Sequence, residues 1–150
     1  MSQELLQNLS ANGVLHLTMN RSEVHNAFDD HQVIRLTQAL EDASASDDVR
    51  LVILSSVGKS FSAGGDLNYM RRMGGNDYAE NLVGGVGLVS CCDFAVGSDR
   101  AKFSTSEVKV GMAPATIAPY IVRTIGEKRH EECSCPANSF RLNAPISWVF

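Results

Sequence analysis

The sequence predicts an α/β fold, because three consecutive segments have the patterns of a strand, a helix and a second strand. Residues 13–20 (GVLHLTMN) carry apolar and β-branched residues at strand spacing. Residues 29–43 repeat apolar residues at helical spacing, and Asp29 followed by Gln32 is typical of a capping box. Residues 49–56 (VRLVILSS) form an apolar run typical of a strand buried on both faces. This order predicts a βαβ unit.

The remaining part of the chain predicts shorter elements. They are a helix beginning with DLNYMRRM, a helix start in the glycine-rich run from residue 84, a strand near Phe94–Val96, a strand within 102–114 and a helix over 118–126. Gly126 is expected to end the last helix. Residues 127–150 show no clean period, so we expect a divergent tail after a core of residues 1–126.

Composition excludes several classes of protein. A chain of 150 residues with 44% hydrophobic and 20% charged residues suits one globular domain. A formal net charge of −4, with no basic cluster larger than MRRM or GEKRH, argues against nucleic acid as a partner. No apolar run reaches the length of a membrane span, and the N-terminus lacks a signal-peptide pattern. We therefore expect no membrane partner and a cytoplasmic location.

The cysteines predict no metal site. Adjacent Cys91 and Cys92 lie in an apolar run, where buried free thiols are expected. His130, Cys133 and Cys135 form H-x-x-C-x-C, but a fourth ligand and a second pair of ligands are missing.

Two nucleotide-binding patterns fail on the glycine-rich segments. A Walker loop ending in the Gly-Lys-Ser of SSVGKS needs a glycine at position 53, where Ile53 stands. GVGLVS has the form G-x-G-x-x-S, and Glu107 lies at a suitable distance beyond it. However, the preceding DYAENLV is a poor strand, whereas a dinucleotide fingerprint follows a strand directly.

A third interpretation uses both glycine-rich loops. SAGGD and GGVG could each direct one backbone N–H at the same oxygen, which would form an oxyanion hole for a thioester that becomes an enolate. Glycine allows the close approach and the positive φ that such loops need. From the residues alone, simple tight turns are the favoured interpretation, and the oxyanion hole is the alternative.

Four segments in order resemble the crotonase superfamily, the enoyl-CoA hydratase/isomerase proteins. They are LTMNRSEVHNAF, VRLVILSSVGKSFSAGGDLNYM, GGVGLVSCCDFAVGSDRAKFSTSEVKVGMAPA and PYIVRTIG, and they span most of residues 13–126. The chain is most similar to bacterial methylglutaconyl-CoA hydratase-like members, which serve leucine and branched-terpenoid acid breakdown. The resemblance implies a ClpP/crotonase-like spiral of ββα units, an acyl-CoA thioester substrate, no separate cofactor because coenzyme A is part of the substrate, and a trimer or hexamer.

The resemblance also implies the site residues. Gly65 and Gly84 match the two oxyanion-hole positions, and Glu107 matches one catalytic acid. The second acid position falls on Gly87, so that acid is absent. The residues matched to substrate binding are His25, Ala27, Ala63, Gly64, Asp66 and Leu67. Among them, the Ala63 carbonyl is implied to meet the adenine and His25 to lie near the CoA phosphates.

The chain departs from the superfamily in two places. Between SAGGDLNYMRRM and the glycine motif it has only GGNDYAENLV, where members carry a helix and a strand. After Gly126, the tail does not resemble the helices that close the acyl-CoA site. We therefore expect a weakly active or inactive hydratase and a doubtful trimer. The alternatives are an isomerase or another acyl-CoA enzyme of this fold, and an inactive remnant that binds CoA.

Overall fold

The computed structural model describes residues 3–66, 85–98, 100–103, 117–126 and 140–141. The chain divides into two compact units, Met1–Val83 and Gly84–Phe150, and each is described by itself. The division expected after residue 126 stays a prediction.

The first unit contains the predicted βαβ arrangement with an additional strand. Its sheet has the order β1 (Leu5–Leu9), β2 (Val14–Met19) and β3 (Leu51–Ser56), with β1 antiparallel and β3 parallel to β2. A 3-10 turn (Ser22–Val24) and helix α1 (Asp30–Ala45) connect β2 to β3. The parallel pairing of β2 with β3 across α1 confirms the predicted unit.

Strand β1 was not predicted, because its own sequence carries little strand signal. Only Leu5 of its five residues is buried, so apolar alternation does not specify it. The strand instead depends on pairing with β2, in the register that places Leu5 opposite Met19. Gly13 makes the connection possible at φ +82°, where a Cβ would lie 2.8 Å from the Asp48 carbonyl oxygen.

The core of the first unit lies on one face of the sheet. Alternate residues of β2 are buried, as expected for one face of a strand. The buried residues of α1 recur at the spacing of one helical face. The buried apolar side chains of these elements and of the following loop are Leu5, Leu15, Leu17, Met19, Ala27, Phe28, Leu36, Ala39 and Ala43.

The prediction that the strand at residues 49–56 is buried on both faces is wrong. Leu51 is 52% exposed and Ile53 is 39% exposed, whereas the alternate residues Val52 and Leu54 are half-buried. Burial therefore alternates over residues 51–54, as in a strand covered on one face. The apolar content of the strand could not show which of its faces is covered, because both faces of β3 carry apolar residues.

The predicted capping box is only half formed. The Asp29 carboxylate accepts the Gln32 N–H at 2.8 Å, which caps α1. The reciprocal bond from the Gln32 side chain is absent: Gln32 is 1% exposed, and neither Oε1 nor Nε2 of this described residue has a hydrogen-bond partner. A buried amide without partners costs free energy relative to an apolar side chain of similar size.

We expect Gln32→Met to stabilise the protein by about 1–3 kcal/mol, because the substitution removes an unsatisfied amide from the interior and keeps its volume. Urea unfolding measures the change. Gln38→Met on the exposed side of the same helix is the matched control, with an expected change within about 0.5 kcal/mol. A loss of stability in Gln32→Met would contradict the interpretation, since it would mean that the amide is satisfied in solution.

The second unit contains four short described elements. They are α2 (Gly85–Cys91), β4 (Lys102–Phe103), α3 (Ala118–Ile125) and β5 (Phe140–Arg141). Strands β4 and β5 are antiparallel. Helix α3 confirms the predicted helix over 118–126, and it ends at Gly126, which has φ +81°.

One expectation for the second unit is confirmed and another is wrong. Helix α2 begins at Gly85, within the glycine-rich run where a helix start was predicted. Residues 94–96 are not a strand, and no described residue pairs with them. Phe94 is 65% exposed and Val96 is 98% exposed, so this apolar run has neither a neighbouring strand nor a cover among the described residues. Within the described ranges, no helix has both the length and the apolar character needed to cross a membrane.

Candidate active site

Two loops of the first unit lie side by side and bring most of the predicted site residues together. One is residues 25–28, between the 3-10 turn and α1, and the other is residues 63–66, after β3. Three backbone hydrogen bonds join them: Ala63 N–H to His25 O (2.9 Å), Phe28 N–H to Gly64 O (2.8 Å) and Asp66 N–H to Phe28 O (2.8 Å). They form a short parallel bridge with Phe28 opposite Gly65.

This bridge determines the direction of the Gly65 N–H. In a parallel bridge, residue 28 bonds to the residues on either side of Gly65, so the N–H and C=O of Gly65 itself point away from residue 28. Among the described residues, nothing accepts a hydrogen bond from the Gly65 N–H, and Gly65 is exposed. Gly64 has φ +93°, which favours glycine at that position. The loop thus presents one free, exposed backbone donor.

The neighbouring carbonyl of Ala63 is also free within the described part of the chain. The Ala63 N–H bonds to His25, but no described group donates to the Ala63 oxygen. Ala63 is exposed. The segment therefore offers an acceptor at residue 63 and a donor at residue 65.

Asn26, which the sequence analysis did not identify, holds the first loop in place. The side chain is 1% exposed, and its Nδ2 donates to the carbonyls of Val57 and Ser60, each at 2.9 Å. Its Oδ1 accepts the Arg21 N–H at 2.8 Å. His25 and Asn26 both have φ +53°, and asparagine tolerates this left-handed region better than most residues.

Arg21, also not identified from the sequence, is the second anchor of this loop. Its Nη1 lies 2.7 Å from the Asp29 carboxylate and donates to the Ala27 carbonyl at 3.2 Å. The Ala27 N–H bonds to Val24 O, so both backbone groups of Ala27 already have partners. Because a carbonyl oxygen has two lone pairs, the second lone pair of the Ala27 oxygen is the backbone site at this residue that could still accept a hydrogen bond from a ligand.

The structure thus brings together six of the predicted site residues. His25, Ala63 and Gly65 are exposed, Gly64 and Asp66 are half-buried, and Ala27 is buried. Leu67, Gly84 and Glu107 lie outside the described residues, as do His130, Cys133 and Cys135. The oxyanion-hole partner at residue 84 and the acid at residue 107 therefore remain predictions.

Gly87, the position matched to a second catalytic acid, has a packing role. It is buried in α2, and a Cβ at this residue would lie 2.8 Å from Ile117 Cγ2, just before α3. The Thr124 hydroxyl donates to the Ser90 carbonyl at 3.1 Å and further joins the two helices. Position 87 has no room for a side chain here, so it cannot supply a carboxylate.

The expectation that both adjacent cysteines are buried is wrong for one of them. Cys92 is half-buried, but Cys91 is exposed and not buried as predicted. Burial raises the pKa of the Cys92 thiol, and the nearby Cys91 and Asp93 raise it further. Cys92 therefore stays a thiol at neutral pH and is a poor nucleophile. Within the described ranges, no three His, Cys, Asp or Glu side chains form a group that could hold a metal ion.

A model of the family described as enoyl-CoA hydratase/isomerase matches residues 10–82 and 80–144. This match covers most of the chain, including part of the predicted tail. The fold is thus that of a crotonase-type protein. The chain belongs to the enoyl-CoA hydratase/isomerase family.

Individual relatives agree with this assignment. A Thermus thermophilus protein provisionally named enoyl-CoA hydratase is 30% identical over 139 residues, covering 73% of this chain and 55% of its own length. A Streptococcus mutans trans-2-decenoyl-[acyl-carrier-protein] isomerase is 30% identical over 177 residues, covering 97% of this chain and 67% of its own length. The crystal structure of a Legionella pneumophila protein provisionally named enoyl-CoA hydratase/isomerase (crotonase) is 34% identical, with a TM-score of 0.83 over 92% of this chain and 64% of that one.

The chain therefore spans between about half and two thirds of the length of these relatives. The alignment with the Streptococcus mutans isomerase covers 177 residues, which exceeds the 150 residues of the whole chain. That relative consequently has residues within the aligned region for which this chain has no counterpart. The two matches to the family model meet at residues 80–82, within the segment where the sequence analysis expects the shortening.

Proposed function

We propose that this chain binds a 2-enoyl-CoA thioester and adds water across its double bond, with low turnover because the family's internal segment is shortened. The observation that carries the proposal is the free, exposed N–H of Gly65, held by the bridge to Phe28. A backbone donor of this kind stabilises negative charge on a thioester oxygen in the transition state. Gly84 is proposed as the second donor.

The chemistry follows from the charge that this donor stabilises. Water attacks C3 of the enoyl group, the electron pair of the double bond moves towards the carbonyl, and the thioester oxygen becomes an enolate oxygen near the Gly65 N–H. Glu107 is proposed to accept a proton from the water and to deliver one to C2, which restores the thioester. With no carboxylate at position 87, a single acid performs both transfers.

The CoA portion is proposed to lie along the two loops. The free Ala63 carbonyl suits the amino group of adenine, and the exposed His25 suits the phosphates. For the acyl group we propose a branched, methylglutaconyl-like chain of leucine breakdown or a fatty acyl chain. This part of the proposal depends on the resemblance of the sequence.

An isomerase is the second candidate, and one observation favours it. Moving a double bond between carbons needs one group that takes a proton and returns it, whereas hydration also needs a positioned water. The packing of Gly87 against Ile117 leaves no second carboxylate at that position. A relative named as an isomerase also aligns with nearly the whole chain. A remnant that binds CoA without turnover remains the third candidate, and the trimer stays doubtful.

The test combines binding and turnover. We expect crotonyl-CoA to bind in a calorimetric titration and to be hydrated slowly, and we expect Glu107→Gln to lower the hydration rate by about 10²–10⁴-fold with little change in binding. The matched control is Glu41→Gln, an exposed carboxylate on α1, which should change neither. Binding without turnover would favour the remnant, turnover of a 3-enoyl-CoA alone would favour the isomerase, and no binding would refute the proposal.

A further inference from the structure

We propose that Asn26 is the positioning residue that orients the Gly65 N–H. The inference deepens the proposed function and relies on it only where ligand binding is measured. Asn26 is buried, carries two donors and an acceptor, and takes no part in the chemistry proposed above. The amide bonds one backbone group at residue 21 and two in the turn of residues 57–60, and such bonds restrict how the two segments move relative to one another.

The first constraint acts through the turn that precedes the site loop. Asn26 Nδ2 bonds to both ends of that turn, at Val57 O and Ser60 O. Ser60 O also accepts the Ser56 hydroxyl at 3.1 Å. Gly58 within the turn has φ +97°, and a Cβ there would lie 2.9 Å from Ser22 Cβ. Hydrogen bonds at both of its ends and the contact with Ser22 therefore hold the turn, although residues 57–59 are exposed, and this fixes the direction in which the chain continues towards Gly65.

The second constraint acts through the backbone of Asn26 itself. The His25 carbonyl belongs to the peptide unit between residues 25 and 26, so its direction depends on the φ of Asn26, which is +53°. That carbonyl accepts the Ala63 N–H at 2.9 Å. Two residues later, the bridge with Phe28 directs the Gly65 N–H outwards. One residue thus controls both the turn before the site loop and the first hydrogen bond that holds it.

The decisive variant is Asn26→Asp. It keeps the size, the acceptor for the Arg21 N–H and the tolerance of a positive φ, but it removes both donors and places a carboxylate against two carbonyl oxygens. Leu36→Val is the control for stability, since Leu36 is buried on α1 and is not part of these hydrogen bonds. Both variants are compared under conditions in which they are fully folded.

Amide hydrogen exchange tests the inference without a ligand. We expect Asn26→Asp to accelerate exchange at the Ala63 and Asp66 amides on the order of tenfold relative to the amides of β2. Leu36→Val should not change this ratio. An unchanged ratio in Asn26→Asp, or an equal change in Leu36→Val, would overturn the inference even if crotonyl-CoA does not bind at all.

The ligand readout is the carbonyl ¹³C resonance of bound [1-¹³C]crotonyl-CoA, which moves downfield when a donor polarises the carbonyl. We expect a smaller downfield shift and on the order of tenfold weaker binding in Asn26→Asp than in the wild type. A full wild-type shift in the variant would refute the inference and leave the proposed function intact. If the wild type binds no crotonyl-CoA, the proposed function fails. The hydrogen-exchange ratio then tests the positioning role of Asn26 by itself.

Discussion

Replacing Gly65 by proline is expected to lower the rate of 2-enoyl-CoA hydration by about 10²–10³-fold, because proline lacks the backbone N–H that we place against the developing enolate. The expected loss corresponds to about 2.7–4 kcal/mol of transition-state stabilisation. Single-turnover measurements with protein in excess over crotonyl-CoA follow the loss of absorbance of the conjugated thioester. This format remains sensitive when the wild-type rate is low.

The substitution is designed to spare the fold. The bridge to Phe28 uses the carbonyl of Gly64 and the N–H of Asp66, and proline at position 65 removes neither. A proline ring clashes with the Cβ of the preceding residue, and Gly64 has none. Gly65→Ala, the matched control, adds a methyl group but keeps the N–H and should retain most of the rate. Equal losses in both variants would show that the effect is steric and would contradict the assignment of the donor.

The elements that could be predicted from the sequence are those whose signal is local. The helical spacing of residues 29–43 predicted α1, and the cap at Asp29 formed as expected. Gly126 ends α3 because glycine readily adopts the positive φ of +81° at which the chain leaves the last helical turn. In each case the residues that make the contact lie within one or two turns of each other, so a window of sequence contains the necessary information.

Features that depend on distant partners were missed. β1 exists through its pairing with β2, and the exposure of Leu51 and Ile53 depends on which faces of the sheet are covered. Residues 94–96 have the composition of a strand but no described neighbour to pair with. Composition reports how apolar a segment is, but it does not report whether another segment lies beside it.

In the candidate site, too, some residues were identified from the sequence and others were missed. The resemblance located Gly65 and Ala63, and in the structure each has a backbone group without a partner among the described residues. Asn26 and Arg21 were missed although they hold the loop. The bonds from Asn26 reach residues 57 and 60, more than 30 positions away. A buried amide could have been suspected only from HNAF, where a polar residue is followed by two apolar ones.

Replacing Phe28 by alanine is expected to destabilise the first unit by about 3–5 kcal/mol, the largest stability effect that we anticipate. Phe28 is 2% exposed and is among the largest fully or nearly fully buried side chains of the chain's described part. Removing its ring leaves a cavity that the surrounding core cannot fill without moving the backbone. Urea unfolding followed by far-UV circular dichroism measures the loss.

Two controls make this prediction specific. Ile34→Ala removes a smaller apolar side chain at a position that is 65% exposed and should change stability by about 0.5 kcal/mol or less. Phe28→Leu keeps part of the volume and should cost less than alanine. If Phe28→Ala costs no more than Ile34→Ala, the ring does not belong to the core. Because the backbone of Phe28 also holds Gly64 and Asp66, the large loss would mean that the same residue supports both the core and the loop carrying the donor.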